Sequence, residues 1–266
     1  MDDRELLGSQ VTLPSLGIPY GGKSEVTILP TTTKEEKMLT SAGPNSGLSI
    51  VDTLIARCVR GLGEDVTPDQ LLVGDRNYLM LAIRAVGFGK EYQYQVDCPS
   101  CKQIFVHKVD LPDDVDVVSL KKGFQEPFEV TLPVSGTKLE LRLLRGADEK
   151  EIQKYEEKIY RHVNVQDAGD PSYDFRRARH VVRLTKKDGT VIENNSEEAT
   201  MQIIAIMQDF VSRDNVEFRN CLSENDCGVD SELQYQCPKC SNVFTKMLPM
   251  TIEFFRPGGN RGIRYL

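Results

Sequence analysis

Two short stretches combine residue types and spacing suited to metal chemistry. Cys98-Pro99-Ser100-Cys101 and Cys237-Pro238-Lys239-Cys240 are both C-P-x-C turns. Each follows a strand-like run, Tyr94-Gln95-Val96-Asp97 in the first and Leu233-Gln234-Tyr235-Gln236 in the second, and each precedes a short apolar run, Ile104-Phe105 or Val243-Phe244. The unit is a weak internal repeat of strand, knuckle and strand. A C-P-x-C turn places two sulfurs on one side of a tight knuckle, and two facing knuckles supply the four tetrahedral thiolates of a structural zinc site. The 135 residues between the knuckles (237−101−1) are far more than an ordinary contiguous ribbon spans, which is no obstacle to a shared site if residues 102 to 236 contain an inserted domain whose ends meet. The expectation is one closed structural Zn2+ site at Cys98, Cys101, Cys237 and Cys240. Two redox-inert cysteine pairs, or a site that has lost its metal, are the alternatives. A redox dithiol would lack its activating helix N-terminus, and four thiolates leave catalytic zinc no open position. Cys221 and Cys227 lie in no knuckle, and Cys58 belongs to an apolar helix face.

A second motif invites a different chemistry. Gly17 to Ser24, GIPYGGKS, satisfies the phosphate-loop pattern G-x-x-x-x-G-K-[ST]. That pattern cradles phosphate only between a buried strand and a helix, where backbone N–H groups and the helix N-terminus converge. Here Leu13-Pro14-Ser15-Leu16 is too short and proline-broken for a central strand, and Glu25 to Leu29, closed by Pro30, reads as a strand rather than a helix. The stretch is therefore read as part of a glycine- and proline-rich N-terminal arm that drapes over a neighbour. His107, His162 and His180 are expected to be solvated or hydrogen-bonded rather than ligating. Glu149, Glu151, Glu156 and Glu157 decorate a helix face, and Arg176, Arg177, Arg179 and Arg183 suit salt bridges or a protein interface better than nucleic acid.

The elements that must position these residues follow from periodicity. Thr33-Lys34-Glu35-Glu36 has capping-box form and opens a short helix to about Thr40. Leu48 to Arg60 carries apolar residues at helical spacing, with Cys58 on the buried face. Thr67-Pro68-Asp69-Gln70 is read as a second capping box leading to a helix over Asp75 to Val86. From Glu91 the period changes to two, giving a strand into the first knuckle and a return strand over Ile104 to Leu111. A hairpin over Phe128 to Leu132 and Lys138 to Leu144 comes next. It is followed by a charged helix capped by Asp148, a polar surface loop from Asn164 to Ser172, a hairpin turning at Lys187-Asp188-Gly189, and two further helices. The fold class is α+β: a helical N-terminal half, a split four-cysteine zinc ribbon and an inserted α+β region.

Composition narrows the function classes. The 266 residues carry a net charge of −7, are 39% hydrophobic and 27% charged, and contain no tryptophan. The negative balance argues against coating DNA or RNA. The start, MDDRELLGSQ, has neither a basic n-region nor an apolar core, and no run of about 18 apolar residues occurs. A cytosolic, non-membrane protein is expected. Seven cysteines in such a chain indicate metal rather than a disulfide framework.

Several stretches together resemble a known family. These are LPSLGIPY, TTTKEEKMLTS, VGDRNYLMLAIRAVGFGKEYQYQVDCPSC, FEVTLPVSGTKLELRLLRGADE and GVDSELQYQCPKC with the terminal FFRP. In their order they are similar to the T4-type bacteriophage baseplate hub and hub-assembly proteins. The resemblance implies a structural or assembly role in a contractile tail, with no catalytic residues to transfer. It implies protein partners: other baseplate or hub proteins, or a second copy of the chain itself. The location would be the virion tail baseplate or, during assembly, the host cytoplasm. The competing class is a zinc-ribbon nucleic-acid binder. The expected layout is an extended arm (1–33), a helical region with the first knuckle (34–111), an inserted α+β region (112–227), the second knuckle (228–255) and a flexible tail (256–266). Tyr20, Phe254, Phe255 and Arg256 are the candidate partner-binding residues of the two ends.

Overall fold

The computed structural model describes residues 3–41, 47–63, 65–160, 170, 172–250 and 252–255. The chain divides into two units, one built from 1–68, 74–119 and 227–266 and the other from 69–73 and 120–226. The second unit is thus an insertion within the first. No helix among the described residues is long and apolar enough to cross a membrane.

In the first unit a one-turn helix α1 (Asp3–Leu6) precedes strands β1 (Ser9–Thr12) and β2 (Glu25–Ile28). These pair antiparallel, and after helices α2 (Thr33–Ser41) and α3 (Gly47–Cys58) the short strand β3 (Val59–Arg60) adds to β2. The segment expected as an extended arm is therefore a folded hairpin. Its apolar residues explain why: Leu13, Val26, Ile28 and Leu29 are all buried, and leaving four such side chains in water would forgo about 1.5–3 kcal/mol each. Its polar anchor is Asp75, fully buried on helix α4 (Val73–Phe88). The carboxylate of Asp75 accepts from the Ser15 backbone N–H at 2.9 Å and from the Tyr20 hydroxyl at 2.8 Å.

Both expected capping boxes shift. Thr32, not Thr33, closes the first: its N–H donates to Glu35 at 2.8 Å and its hydroxyl also bonds that carboxylate, while Lys34 N–H donates back to Thr32 Oγ1 at 3.3 Å. Residues 68–70 form a turn, and α4 begins at Val73. Asp69 and Leu71 instead give their carbonyls to the N–H groups of Ala147 and Gly146, each at 3.0 Å. Tertiary pairing at this point overrides the local capping signal.

Strands β4 (Glu91–Asp97) and β5 (Ile104–Asp110) form a two-stranded hairpin, and β6 (Asp116–Val118) then leads out of the first unit. The second unit comprises β7 (Phe128–Thr131), β8 (Lys138–Leu141), α5 (Gly146–Tyr160), α6 (Tyr173–His180), β9 (Val181–Thr185), β10 (Val191–Glu193), α7 (Glu197–Gln208) and α8 (Ser212–Asn225). Its sheet runs β10-β9-β8-β7, antiparallel throughout. Leu139, Leu141, Val181 and Leu184 from the sheet pack with Ile152, Phe175, Ile203, Met207 and Phe218 from the helices. Asp148 does more than cap α5. Buried in the first turn, it accepts from the Arg145 backbone N–H at 2.9 Å and from both Arg142 and Arg179 guanidinium groups at 2.7 Å. Desolvation opposes its charge, yet these donors outweigh burial and hold the carboxyl below its usual range. Nearly all of the expected loop at 164–172 and all of His162 lie outside the described residues.

The chain re-enters the first unit through β11 (Gly228–Asp230), which pairs antiparallel with β6 in the register Gly228↔Val118 and Asp230↔Asp116. The outgoing and returning ends of the insertion are therefore hydrogen-bonded neighbours. Hairpin β12 (Glu232–Gln236) with β13 (Val243–Met247) follows, then a 3-10 turn at Ile252–Phe255. The closure depends on two glycines. A Cβ on Gly74 would lie 1.9 Å from the Cys227 carbonyl oxygen, and one on Gly228, whose φ is +132°, would lie 2.6 Å from Gly74 Cα. No side chain fits that backbone approach.

Gly74→Ala is expected to lower stability by about 2 kcal/mol or more, because backbone must move to admit the methyl group. Gly47→Ala, with open space at its Cβ, should be neutral or stabilising. Urea midpoints for the two variants check this.

A pH dependence follows from His180. Burial pushes its imidazole from 6.5 down to about 4, against the pull of the Arg142 carbonyl 2.9 Å from Nδ1. Because the unfolded chain takes up this proton first, the contribution is complete above about pH 6.5 and is lost as pH falls toward 4. His180→Asn should flatten the decline of the urea midpoint between about pH 7 and about pH 5.

Candidate metal centre

The two knuckles are built alike. In the first, Cys98 N–H donates to the Gln103 carbonyl at 2.9 Å and Lys102 N–H donates to the Cys98 carbonyl at 3.0 Å. In the second, Cys237 N–H donates to Asn242 and Ser241 N–H donates to Cys237, both at 2.9 Å. Lys102 and Ser241 both have φ of 58°, in the left-handed region. Neither is glycine, so each turn carries strain of about 1 kcal/mol or more that its hydrogen bonds must hold. Proline at the second position, with φ fixed and no N–H to satisfy, suits the same turn.

The four sulfurs converge. Cys98 Sγ lies 3.7 Å from Cys240 Sγ, Cys101 Sγ lies 3.6 Å from Cys237 Sγ, and all four lie within 4.8 Å of one another. A tetrahedral ion with metal–sulfur bonds of about 2.3 Å requires sulfur–sulfur edges of about 3.8 Å. Disulfides, at about 2.05 Å, are absent among the described cysteines. Cys98 and Cys237 are buried, Cys101 is partly so, and Cys240 reaches the surface. The residues present therefore fit a closed four-sulfur site for a metal ion.

Electrostatics point the same way. Desolvation works against ionising Cys237, but the backbone N–H groups of Cys240 and Lys239 and the neighbouring thiols bring its pKa down to about 6. At Cys240 the Asn242 backbone N–H favours the thiolate, but desolvation and the three other cysteines prevail and raise its pKa to about 12. Four thiols in this space cannot all ionise alone, because each new negative charge meets the last. A divalent cation removes that penalty.

The hairpins that carry the knuckles are joined beneath them. β4 alternates strictly, burying Tyr92, Tyr94 and Val96. The hydroxyls of Tyr94 and Tyr235 share a hydrogen bond of 2.6 Å, the His107 ring lies edge-on to Tyr235 at 4.7 Å, and Phe244 stacks on Tyr235 at 5.6 Å. Lys246 pairs with Asp97 across the hairpins. Desolvation lowers the His107 pKa and keeps the imidazole neutral. It serves as packing in this layer, not as a ligand. Sequence reading missed the Tyr94–Tyr235 contact, although both tyrosines stand at the inward phase of strands that lead into knuckles.

The candidate partner residues need correction. Tyr20 is buried with its hydroxyl committed to Asp75. Phe254 and Phe255 are 0% and 5% exposed, and Phe254 packs edge-on against Tyr92 at 4.9 Å. Apolar rings with room in their own core do not wait for a partner. Arg256 and the tail beyond it lie outside the described residues. The phosphate-loop motif is also closed on itself. Gly17, with φ of 66°, accepts at its carbonyl from the N–H groups of both Tyr20 and Gly22, and β2 follows rather than a helix.

The arginine segment forms helix α6 and the start of β9, and its charges are met. Arg179 pairs with Asp148 and Glu151, Arg176 with Glu156, Arg177 with Asp174, and Arg183 with Glu140 and Glu193.

Comparison with known proteins places the chain. The family model described as T4 bacteriophage base plate protein matches residues 11–256. No curated protein and no solved structure matches. Since the family match includes both knuckles and the whole insertion between them, the chain belongs to the T4 bacteriophage base plate protein family.

Proposed function

We propose that the chain is a non-enzymatic structural or assembly component of a contractile-tail phage baseplate, acting in the hub region through contacts with other baseplate proteins. The observation that carries this reading is the family match from residue 11 to 256. The paired arginines support protein contacts over nucleic-acid binding, since phosphate-driven affinity needs cationic side chains that are not already neutralised. In this reading Cys98, Cys101, Cys237 and Cys240 hold a structural Zn2+, for which the convergence of four sulfurs is the support. Zinc would supply a tetrahedral cross-link and no chemistry of its own. The chain's own part is to hold the sulfurs in place through two matching knuckles and the Tyr94–Tyr235 layer beneath them.

Two outcomes are expected. Zinc content by atomic emission should be about one ion per chain in the natively purified protein, fall to background in Cys98→Ser and Cys237→Ser, and stay unchanged in Cys58→Ser and Cys221→Ser. Metal binding of this kind contributes on the order of 10 kcal/mol gross, so the first two variants should also become protease-sensitive. Quantitative mass spectrometry of purified virions beside infected-cell lysate should find the chain with the baseplate proteins at a fixed ratio if it is structural, or in lysate alone if it is an assembly factor. Its absence from both baseplates and baseplate intermediates would overturn the reading.

A further inference from the structure

The sulfur geometry says more than that a metal fits. Two close pairs run between the knuckles: the first cysteine of each meets the second cysteine of the other, Cys98 with Cys240 at 3.7 Å and Cys101 with Cys237 at 3.6 Å. Within each knuckle the first sulfur is held by backbone N–H groups of its own turn, from Cys101 and Ser100 at Cys98 and from Cys240 and Lys239 at Cys237. We infer that the cage is also a paired oxidation site: without metal, it closes on oxidation into two cross-knuckle disulfides, Cys98–Cys240 and Cys101–Cys237, rather than one within each C-P-x-C turn. This rests on the metal-site reading above.

Each new bond requires two sulfurs to approach from about 3.7 Å to about 2.05 Å, under 1 Å of movement apiece. The co-reactant is a low-molecular-weight disulfide. A protein thiolate attacks it and expels one small thiolate, and the facing protein thiolate then attacks the mixed disulfide and expels the second. Two protein thiols lose two electrons and two protons, and the reagent gains both as two small thiols. Two reagent molecules complete the cage. The consequence is specific to this topology, because a cross-knuckle bond keeps 98–101 tied to 237–240 whereas a bond within a knuckle releases them. A particle that leaves a reducing cytosol meets conditions in which disulfides persist, so loss of the ion there would leave the ends of the insertion covalently joined.

The test uses the full chain, stripped of metal by a chelator under reducing conditions and then treated with oxidised glutathione, beside the zinc-loaded protein. Trypsin cuts after Lys90, Lys102, Lys239 and Lys246, which puts Cys98 and Cys101 on one peptide and separates Cys237 from Cys240. The expected product joins three peptides, with fragment ions placing the bond on Cys237 rather than Cys221 or Cys227. Free thiols fall from seven to three (7−4). In Cys101→Ser only the Cys98–Cys240 bond should form, linking 91–102 to 240–246. The zinc-loaded chain should react at least tenfold more slowly. An internal disulfide in peptide 91–102, or a Cys98–Cys237 bond in Cys101→Ser, would overturn the inference. If metal-loaded and stripped protein oxidise alike into cross-knuckle bonds, the pairing stands and the metal reading falls.

Discussion

The antiparallel pairing of β6 with β11 is the constraint on which the first unit depends. Two hairpins separated by more than a hundred residues carry the halves of one four-sulfur cage, and they meet only if the insertion leaves and returns at the same place. The strand pair satisfies that requirement with backbone hydrogen bonds. Gly74 and Gly228 satisfy it sterically, by letting the first turn of α4 lie directly against the returning chain. Closing a loop of this length costs chain entropy that grows only slowly with length, so a long insertion is thermodynamically tolerable once its ends are fixed. A cross-link at the cysteines would act on the same loop, beyond the strand pair.

The two units reach their stability by different means. In the first, the layer under the knuckles is aromatic and polar together: the tyrosine hydroxyls of β4 and β12 satisfy each other while their rings bury apolar area. The second has an ordinary apolar core between a four-stranded sheet and its helices, with the buried carboxylates of Asp148 and Asp214 beside it. Asp148 gathers Arg142, Arg179 and the first turn of α5. Breaking a buried pair of this kind leaves an uncompensated charge, which is why such pairs fix geometry more surely than they add net stability. The same arginines, once committed, leave little for phosphate to bind.

Much of this was legible in the sequence where the signal was local and periodic. Alternation in Tyr92, Tyr94 and Val96 placed β4, the helical spacing of Ile50, Leu54 and Cys58 placed α3, and the two C-P-x-C turns marked the four cysteines that converge. An inserted region between the knuckles was what a shared site would require of that spacing. What was not legible is the long-range pairing. Nothing near Asp116–Val118 names Gly228–Asp230 as its partner, and nothing near Tyr20 names Asp75, sixty residues from Ser15. Tyr20, Phe254 and Phe255 therefore read as partner-binding aromatics of the two ends, when they are core residues. The turn after Thr67 was hidden for the same reason: the carbonyls of Asp69 and Leu71 pair with the N–H groups of Ala147 and Gly146, far along the chain.

The central claim is that sulfurs from both knuckles surround one ion, and X-ray absorption at the zinc edge of the purified full chain tests it most directly. A single shell of four sulfurs at about 2.3 Å with no nitrogen or oxygen contribution is expected. A shell of two sulfurs completed by lighter atoms would contradict it, because each knuckle would then be binding metal by itself.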